Sequence, residues 1–343
     1  MAEPGDVVWL RGGVYPSALT ITRSGKPGAP VVFESFPGEC AVLDGAGVDG
    51  DARVQLWHVE HVEFRNLEVR NVSAEGIFLS GVRDSVIRNV RSSHNGGSGI
   101  LALRSDRNVF AYLLLHDNVD EPDGEHADGI SISSGNGNRI HHCLAYRNSD
   151  DGVDTWLSTW TLVERCVSVA NGQRQGDGRG FKLGGAGRPA FTVVRESIAI
   201  ANRFDGFDTN SGAHVMLEHN TSFGNGRYGF VAGAGAVLRH NLAIADHGAP
   251  WRALSGGADA FGNSWQLTLA DPRNAVRSVD PVSEAFLSPR VVGAAAGAAP
   301  GAAIAERSPD LGAVPPGATI GSHLGVEPER LGAILASDPS RRR

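Results

Sequence analysis

The sequence predicts an all-β fold, a parallel β-helix in which the chain winds into stacked coils. Three observations predict it. Gly followed by an apolar residue recurs at Gly76, Gly99, Gly129, Gly152, Gly180, Gly206 and Gly229, with spacings of 23, 30, 23, 28, 26 and 23 residues. A period in the twenties means one supersecondary unit per repeat. Runs such as V-E-F-R-N-L-E-V-R at 62–70 alternate apolar and polar residues and are punctuated by Gly and Asn. That pattern reads as strands joined by tight turns. Finally, no segment of helical length separates the strands, and evenly spaced two-residue hairpin turns are absent. Each strand must therefore stack on its own equivalent one coil away.

Taken in order, residues 1–53 read as N-terminal opening coils, with V-V-W-L, L-T-I-T and V-V-F-E runs between Gly and Pro turns. No charged leader or apolar signal core precedes the first run, so a removed signal, a cytoplasmic chain and a truncated one are all left open. Residues 54–246 read as the regular coils that carry the site. Residues 247–343 read as an irregular extension and tail. Within it, 249–265 breaks the repeat, 291–303 is Ala/Gly-rich, and the basic end at 340–343 is expected to be disordered.

Composition narrows the function. With 343 residues, 41% of them hydrophobic and 20% charged, the chain can hold one elongated core as a single domain. A net charge of −7 argues against a general nucleic-acid binder. The sequence has no run of eighteen apolar residues, so no membrane span is expected.

Asn95, Asn118, Asn148, Asn171, Asn202 and Asn225 recur once per coil, and four of them lie four residues before a marker glycine. Such a column predicts a ladder of side-chain amides bonded from coil to coil. Of three cysteines, Cys143 and Cys166 each lie five residues before a ladder Asn, so they stack and read as reduced core residues. No spacing suggests zinc. His141 and His142 are expected to alternate in and out along a strand.

The register locates a site. The residue after each marker glycine is large and apolar: Ile77, Ile100, Ile130, Val153, Phe181, Phe207 and Phe230. This column faces the core, so the next one, Phe78, Leu101, Ser131, Asp154, Lys182, Asp208 and Val231, faces out. The residue before the glycine adds Asp128, Asp151, Arg179 and Asp205, with Asp150 alongside. Asp128, Asp150, Asp151 and Asp154 thus converge on two adjacent coils, with Lys182 one coil on. Two insertions, V-D-E-P-D-G-E-H-A-D and G-Q-R-Q-G-D-G-R, leave the same turn and border this patch. Insertions on one face mark the binding face of a solenoid.

Clustered carboxylates repel one another, and a hard cation resolves the repulsion. An all-oxygen set favours Ca²⁺ over Zn²⁺. The plainer reading is a solvated acidic turn. Lys182 is one of two lysines, with Lys26, against 29 arginines. An amine can lose its proton where a guanidinium cannot. The plainer reading here is a salt bridge to Asp154 or Asp208. Arg179, Asp205, Asp208 and Asn210, on the same face, are candidate substrate-binding residues. Trp156 and Trp160 read as packing under a loop, with sugar stacking as the alternative.

The run H-A-D-G-I, N-S-D-D-G-V-D, G-R-G-F-K-L-G-G and D-G-F-D-T-N resembles the family 9 pectate lyases, over roughly residues 60–245 and most strongly over 126–210. The resemblance implies a right-handed, single-stranded parallel β-helix. It also implies a calcium ion held by Asp128, Asp150, Asp151 and Asp154, and Lys182 as catalytic base. The implied reaction is β-elimination on a polyuronate such as polygalacturonate. The implied setting is a secreted enzyme acting on acidic polysaccharide, which we expect to be a monomer. An exposed lysine, with a pKa near 10.4, would call for alkaline operation, and Asp154 and Asp208 would raise that pKa further. Two rivals remain. A polygalacturonase-type hydrolase on the same fold would carry Gly-His-Gly and Arg-Ile-Lys segments, and neither is present. A non-catalytic carbohydrate-binding or surface β-helix would use the acidic site for a stabilising metal.

Overall fold

In the coils that carry the site, each turn of the chain is three short strands. One coil runs Val153–Thr155, Leu162–Glu164 and Val167–Val169. The next runs Phe181–Leu183, Val193–Arg195 and Ile198–Ile200. Each strand pairs in parallel with its equivalent one coil away. The structure, a computed structural model, describes residues 2–48 and 54–266. The Ala/Gly-rich stretch at 291–303 and the basic end at 340–343 lie outside them.

The architecture is the right-handed parallel β-helix that the repeat predicts. One face is a ten-stranded parallel sheet from Leu19–Ile21 to Trp251–Ala253. The other two faces merge in the early coils, where Val62–Arg70 and Val86–Ser93 run through both. Asn66 and Asn89 turn the corner inside those strands with left-handed φ of 58° and 51°, a conformation Asn tolerates. Parallel pairing starts at Val7–Leu10 on Val31–Ser35. It continues past residue 246 through Trp251–Ala253 and Asp259–Phe261, so the stretch 249–265 keeps the coil despite its irregular sequence.

The core follows the expected register. Ile77, Ile100, Ile130, Val153, Phe181, Phe207 and Phe230 form one paired column and are fully buried. The rings of Phe181 and Phe207 stack at 4.6 Å and those of Phe207 and Phe230 at 5.0 Å. Those spacings are set by the coil repeat of about 4.8 Å. The marker glycines are required by close approach. A Cβ on Gly152 would lie 2.0 Å from Ser168 Oγ, and one on Gly180 would lie 2.5 Å from the Gly206 carbonyl.

The Asn ladder forms. Nδ2 of Asn95, Asn118, Asn148, Asn171 and Asn202 each donates to Oδ1 of the next Asn at 2.8–2.9 Å. A second ladder joins Asn220, Asn241 and Asn263. It continues a column that begins with Cys143, Cys166 and Ser197, as Cys166 donates to Ser197 Oγ and Ser197 to Asn220 Oδ1. Both cysteines are buried and free.

Candidate active site

The site lies on the outer surface of the ten-stranded sheet. The register pairs Ser131 with Asp154, Asp154 with Lys182, and Lys182 with Asp208. This column points away from the core, yet Asp154 and Asp208 are buried. The two insertions cover the site. Gln175 N–H donates to the Asp123 carbonyl at 3.1 Å, Arg174 pairs with Glu121, and Asp177 N–H donates to Asp150 Oδ1 at 2.8 Å.

Asp128, Asp150 and Asp151 bring one carboxylate oxygen each within 4.8 Å of one another. Asp151 N–H donates to Asp128 Oδ1 at 3.0 Å, which fixes the two coils against each other. Asp151 Oδ1 accepts from Arg179 N–H at 2.6 Å. Asp154 stands at the edge of this trio, beside the lysine. Lys182 Nζ lies 3.0 Å from Asp151 Oδ2 and 3.2 Å from Asp154 Oδ2. Asp154 Oδ1 is buried and accepts no hydrogen bond, and the buried Asp151 Oδ2 faces the Lys182 ammonium.

The electrostatics follow from burial. Desolvation pushes the Asp128 carboxyl well above its ordinary value, and the charges of Asp154, Asp150 and Asp151 add to it. Burial and Asp151 push Asp150 up to about 8. Burial raises Asp154 to about 6 against the pull of Lys182. Burial opposes the charge on Lys182, but Asp151, Asp154, Asp128 and Asp150 outweigh it and hold the ammonium far above its ordinary value.

Several expectations change here. Lys182 is not an exposed lysine: its side chain is 15% accessible, enclosed by carboxylates. Asp208 is not its partner, because Arg179 Nε takes Asp208 Oδ2 at 2.7 Å. Arg179 also pairs with Asp177, a residue the sequence did not single out; its position in an insertion, outside the repeat register, hid it. Asn210 N–H donates to Asp208 Oδ1 at 2.7 Å. Asp205 is held by Arg227, with Nε to Oδ1 at 2.8 Å. All four substrate-binding candidates therefore lie on this face, but Asp205, Arg179 and Asp208 are committed to partners. His141 and His142 do not alternate. Both are half-buried, and their Nδ1 atoms meet at 2.9 Å, because His142 turns a corner at a φ of 55°. Trp160 is 61% exposed and is not packed under a loop. Trp156, 38% exposed, lies over Gly185, where a Cβ would meet its ring at 2.4 Å.

Residues 1–241 match the Pel9A-like right-handed β-helix region. The chain belongs to the family 9 pectate lyases. Pectate lyase PEL9 of Emericella nidulans is 31% identical over 77% of this chain and 76% of that protein. Pectate lyase L of Paenibacillus polymyxa is 32% identical over 70% of this chain and 61% of that protein. The crystal structure of pectate lyase Pel9A superposes with a TM-score of 0.75 at 23% identity, covering 92% of this chain and 89% of that one; at this identity it shows the shared fold. This family member is accordingly a polysaccharide lyase.

The residues fit a hard cation. Three carboxylates converge, burial penalises their charge, and one buried oxygen beside them, Asp154 Oδ1, has no hydrogen-bond donor. An all-oxygen donor set is the kind Ca²⁺ takes.

Proposed function

We propose that this lyase cleaves polygalacturonate by calcium-assisted β-elimination, with Lys182 as the base. The observation that carries the reading is the placement of Lys182 Nζ, 3.0–3.2 Å from Asp151 and Asp154 at the edge of the carboxylate trio. Asp128, Asp150 and Asp151 would hold the ion, with Asp154 completing the set. Bound there, calcium supplies positive charge that binds the uronate carboxylate, acidifies the adjacent carbon and stabilises the carbanion that forms.

Lys182 takes the proton from C5 of the uronate. The electron pair left behind forms the C4–C5 double bond, and the C4–O bond breaks with its pair on the leaving oxygen. The products are an unsaturated sugar end and a free hydroxyl end once that oxygen is protonated. Lys182 must be neutral to act, and its enclosing carboxylates resist this. It releases its proton more readily once their charge is compensated. Arg179 cannot share the role, because a guanidinium stays protonated and this one is tied to Asp208 and Asp177. We further propose that the enzyme acts outside the cell as a monomer on acidic polysaccharide.

The test is the ultraviolet absorbance of unsaturated product from polygalacturonate, with and without chelator, for the native chain and Lys182→Ala. We expect loss of product with chelator. In Lys182→Ala we expect a fall in turnover of at least the roughly 10²–10⁴ of a general base, with the fold retained. Reducing ends that appear without absorbance would make the enzyme a hydrolase. A tenth or more of native turnover in Lys182→Ala would remove the lysine from its role.

A further inference from the structure

One turn position forms a column on the outside of the solenoid, beyond the end of the strands that carry Asp154 and Lys182. Arg107, Gly137, Trp160, Phe191 and His214 occupy it on successive coils. Backbone bonds and strand pairing fix the register: Arg107 N–H to the Asn136 carbonyl, Gly137 N–H to the Thr159 carbonyl, Trp160 N–H to the Ala190 carbonyl, and the pairing of Val193 with Met216, two residues beyond Phe191 and His214. All five have left-handed φ, between 51° and 66°, so their side chains leave the backbone in the same direction.

The rings in this column stack along the solenoid axis. Trp160 lies on Phe191 at 4.6 Å and 14°, and Phe191 on His214 at 5.3 Å and 6°. Phe191 covers one face of the indole, so the other face turns toward the preceding coil. There the column holds Gly137, which has no side chain. One coil further back, the Arg107 guanidinium leans away, held by Asp84 at 2.8 and 2.7 Å. Trp160 and Arg107 are two coils apart, about 9.6 Å at two coil repeats of about 4.8 Å each. A slot is left between them, floored by Gly137 and edged by the Asn136 Nδ2 to Thr159 Oγ1 hydrogen bond at 2.7 Å. Its width, one coil repeat on each side of its centre, takes one ring.

We propose that this slot is a carbohydrate subsite that stacks one pyranose ring of the polysaccharide on the free face of Trp160. The choice of occupant rests on the polysaccharide function proposed above. A pyranose has one face of C–H groups, which suits the indole, and a hydroxyl rim, which suits Asn136 and Thr159. Exposed aromatic area is otherwise poorly used in a monomer, and here 61% of Trp160 is accessible. The slot shares no residue with the carboxylate trio or Lys182. It would hold a part of the polymer away from the reacting sugar, so that long chains gain affinity from two points of attachment while short ones do not.

The test separates the subsite from catalysis by measuring binding without turnover. In a Lys182→Ala background, titration with polygalacturonate and with galacturonate trimer is followed by calorimetry and by indole fluorescence. Trp160→Ala should weaken polymer binding roughly two- to tenfold, the range of a single stacking contact, and leave trimer binding unchanged. Gly137→His is the sharper variant. His61 and His214 occupy left-handed turns of the same kind, and a Cβ at Gly137 meets only Arg107 Cγ at 3.5 Å. It fills the slot while keeping Trp160 and extending its ring stack. The subsite predicts the same loss of polymer binding with the fold retained. Native polymer affinity in Gly137→His would overturn the proposal and leave Trp160 as a packing residue. If the parent without substitution at Trp160 or Gly137 fails to bind polygalacturonate, the substrate reading falls. Weakening of other pyranose polymers by Gly137→His would then still support the slot, and no polymer responding to it would end it.

Discussion

Asp246 ends the main asparagine ladder, and its replacement by Asn should stabilise the enzyme at alkaline pH. Its Oδ1 accepts from Asn225 N–H, Asn225 Nδ2 and Ser222 Oγ, each at 2.9 Å. Its Oδ2 is buried with no hydrogen-bond partner. Burial raises the carboxyl from 3.8 to about 6, although the Asn225 and Ser222 bonds pull the other way. The folded state therefore prefers the protonated acid. That preference is fully felt below pH 3.8, and it is lost as pH rises through about 6. At pH 8 the folded chain holds a buried charge worth roughly 3 kcal/mol, from 1.36 kcal/mol per pKa unit. An asparagine keeps the accepting oxygen and replaces Oδ2 by a donor. The ladder supplies a partner, since Asn202 and Asn225 donate to the Ser168 and Ala199 carbonyls one coil back, and Ser222 holds the equivalent place. Urea unfolding of native and Asp246→Asn chains at pH 8 and pH 4.5 checks this. We expect a gain of roughly 1–3 kcal/mol at pH 8 and a much smaller one at pH 4.5. An equal change at both values, or a loss at pH 8, would refute the account of burial.

Three further outcomes are expected. Calorimetry with Ca²⁺ should show binding by the native chain and none by Asp151→Ala, because Asp151 links the trio to Lys182; a retained isotherm would remove the site as drawn. Gly180→Ala should lower the melting temperature and reduce turnover together, since its Cβ would lie 2.5 Å from the Gly206 carbonyl and 2.8 Å from Ala199 Cβ, an overpacking cost of about 1–3 kcal/mol. Lys182→Arg should keep the ion pairs and the melting temperature but lose turnover, which is measured as unsaturated product; full activity would mean that Lys182 serves as a charge and not as a base.

Much of this was legible because a solenoid converts sequence period into spatial column. The period of Gly129, Gly152, Gly180 and Gly206 is enough to put Asp128, Asp151 and Lys182 on one face. What escaped was what the period does not encode. Asp177 lies in an insertion, so no register assigned it to Arg179 and Asp150. Lys182 does point outward from the core, but outward is not exposed here, because the two insertions cover it. Of its two expected ion-pair partners, Asp154 lies at 3.2 Å and Asp208 is taken by another cation. Asp208 stacks directly on Lys182 in the strand, yet Arg179 in the neighbouring column is longer and reaches it first. The second asparagine ladder was hidden because Cys143, Cys166 and Ser197 occupy its early positions. The coil beyond residue 246 was hidden because Asp246 stands at the ladder position and Pro250 at that of the marker glycine.

The pairing of Arg179 with Asp208 also bears on why a lysine stands at 182. Two cations on neighbouring columns face a surface crowded with carboxylates. Arg179 binds Asp208 and Asp177 through directional hydrogen bonds and sits 12% accessible, so its charge is fixed in place. That leaves Lys182 with Asp151 and Asp154 as its nearest partners, the first a member of the trio and the second at its edge. Any cation attracted to the trio is therefore attracted to the same oxygens that hold the lysine's proton. In this arrangement the arginine fixes the geometry, while the lysine, whose charge can be given up, is the one placed where the proposed metal and a proton would compete.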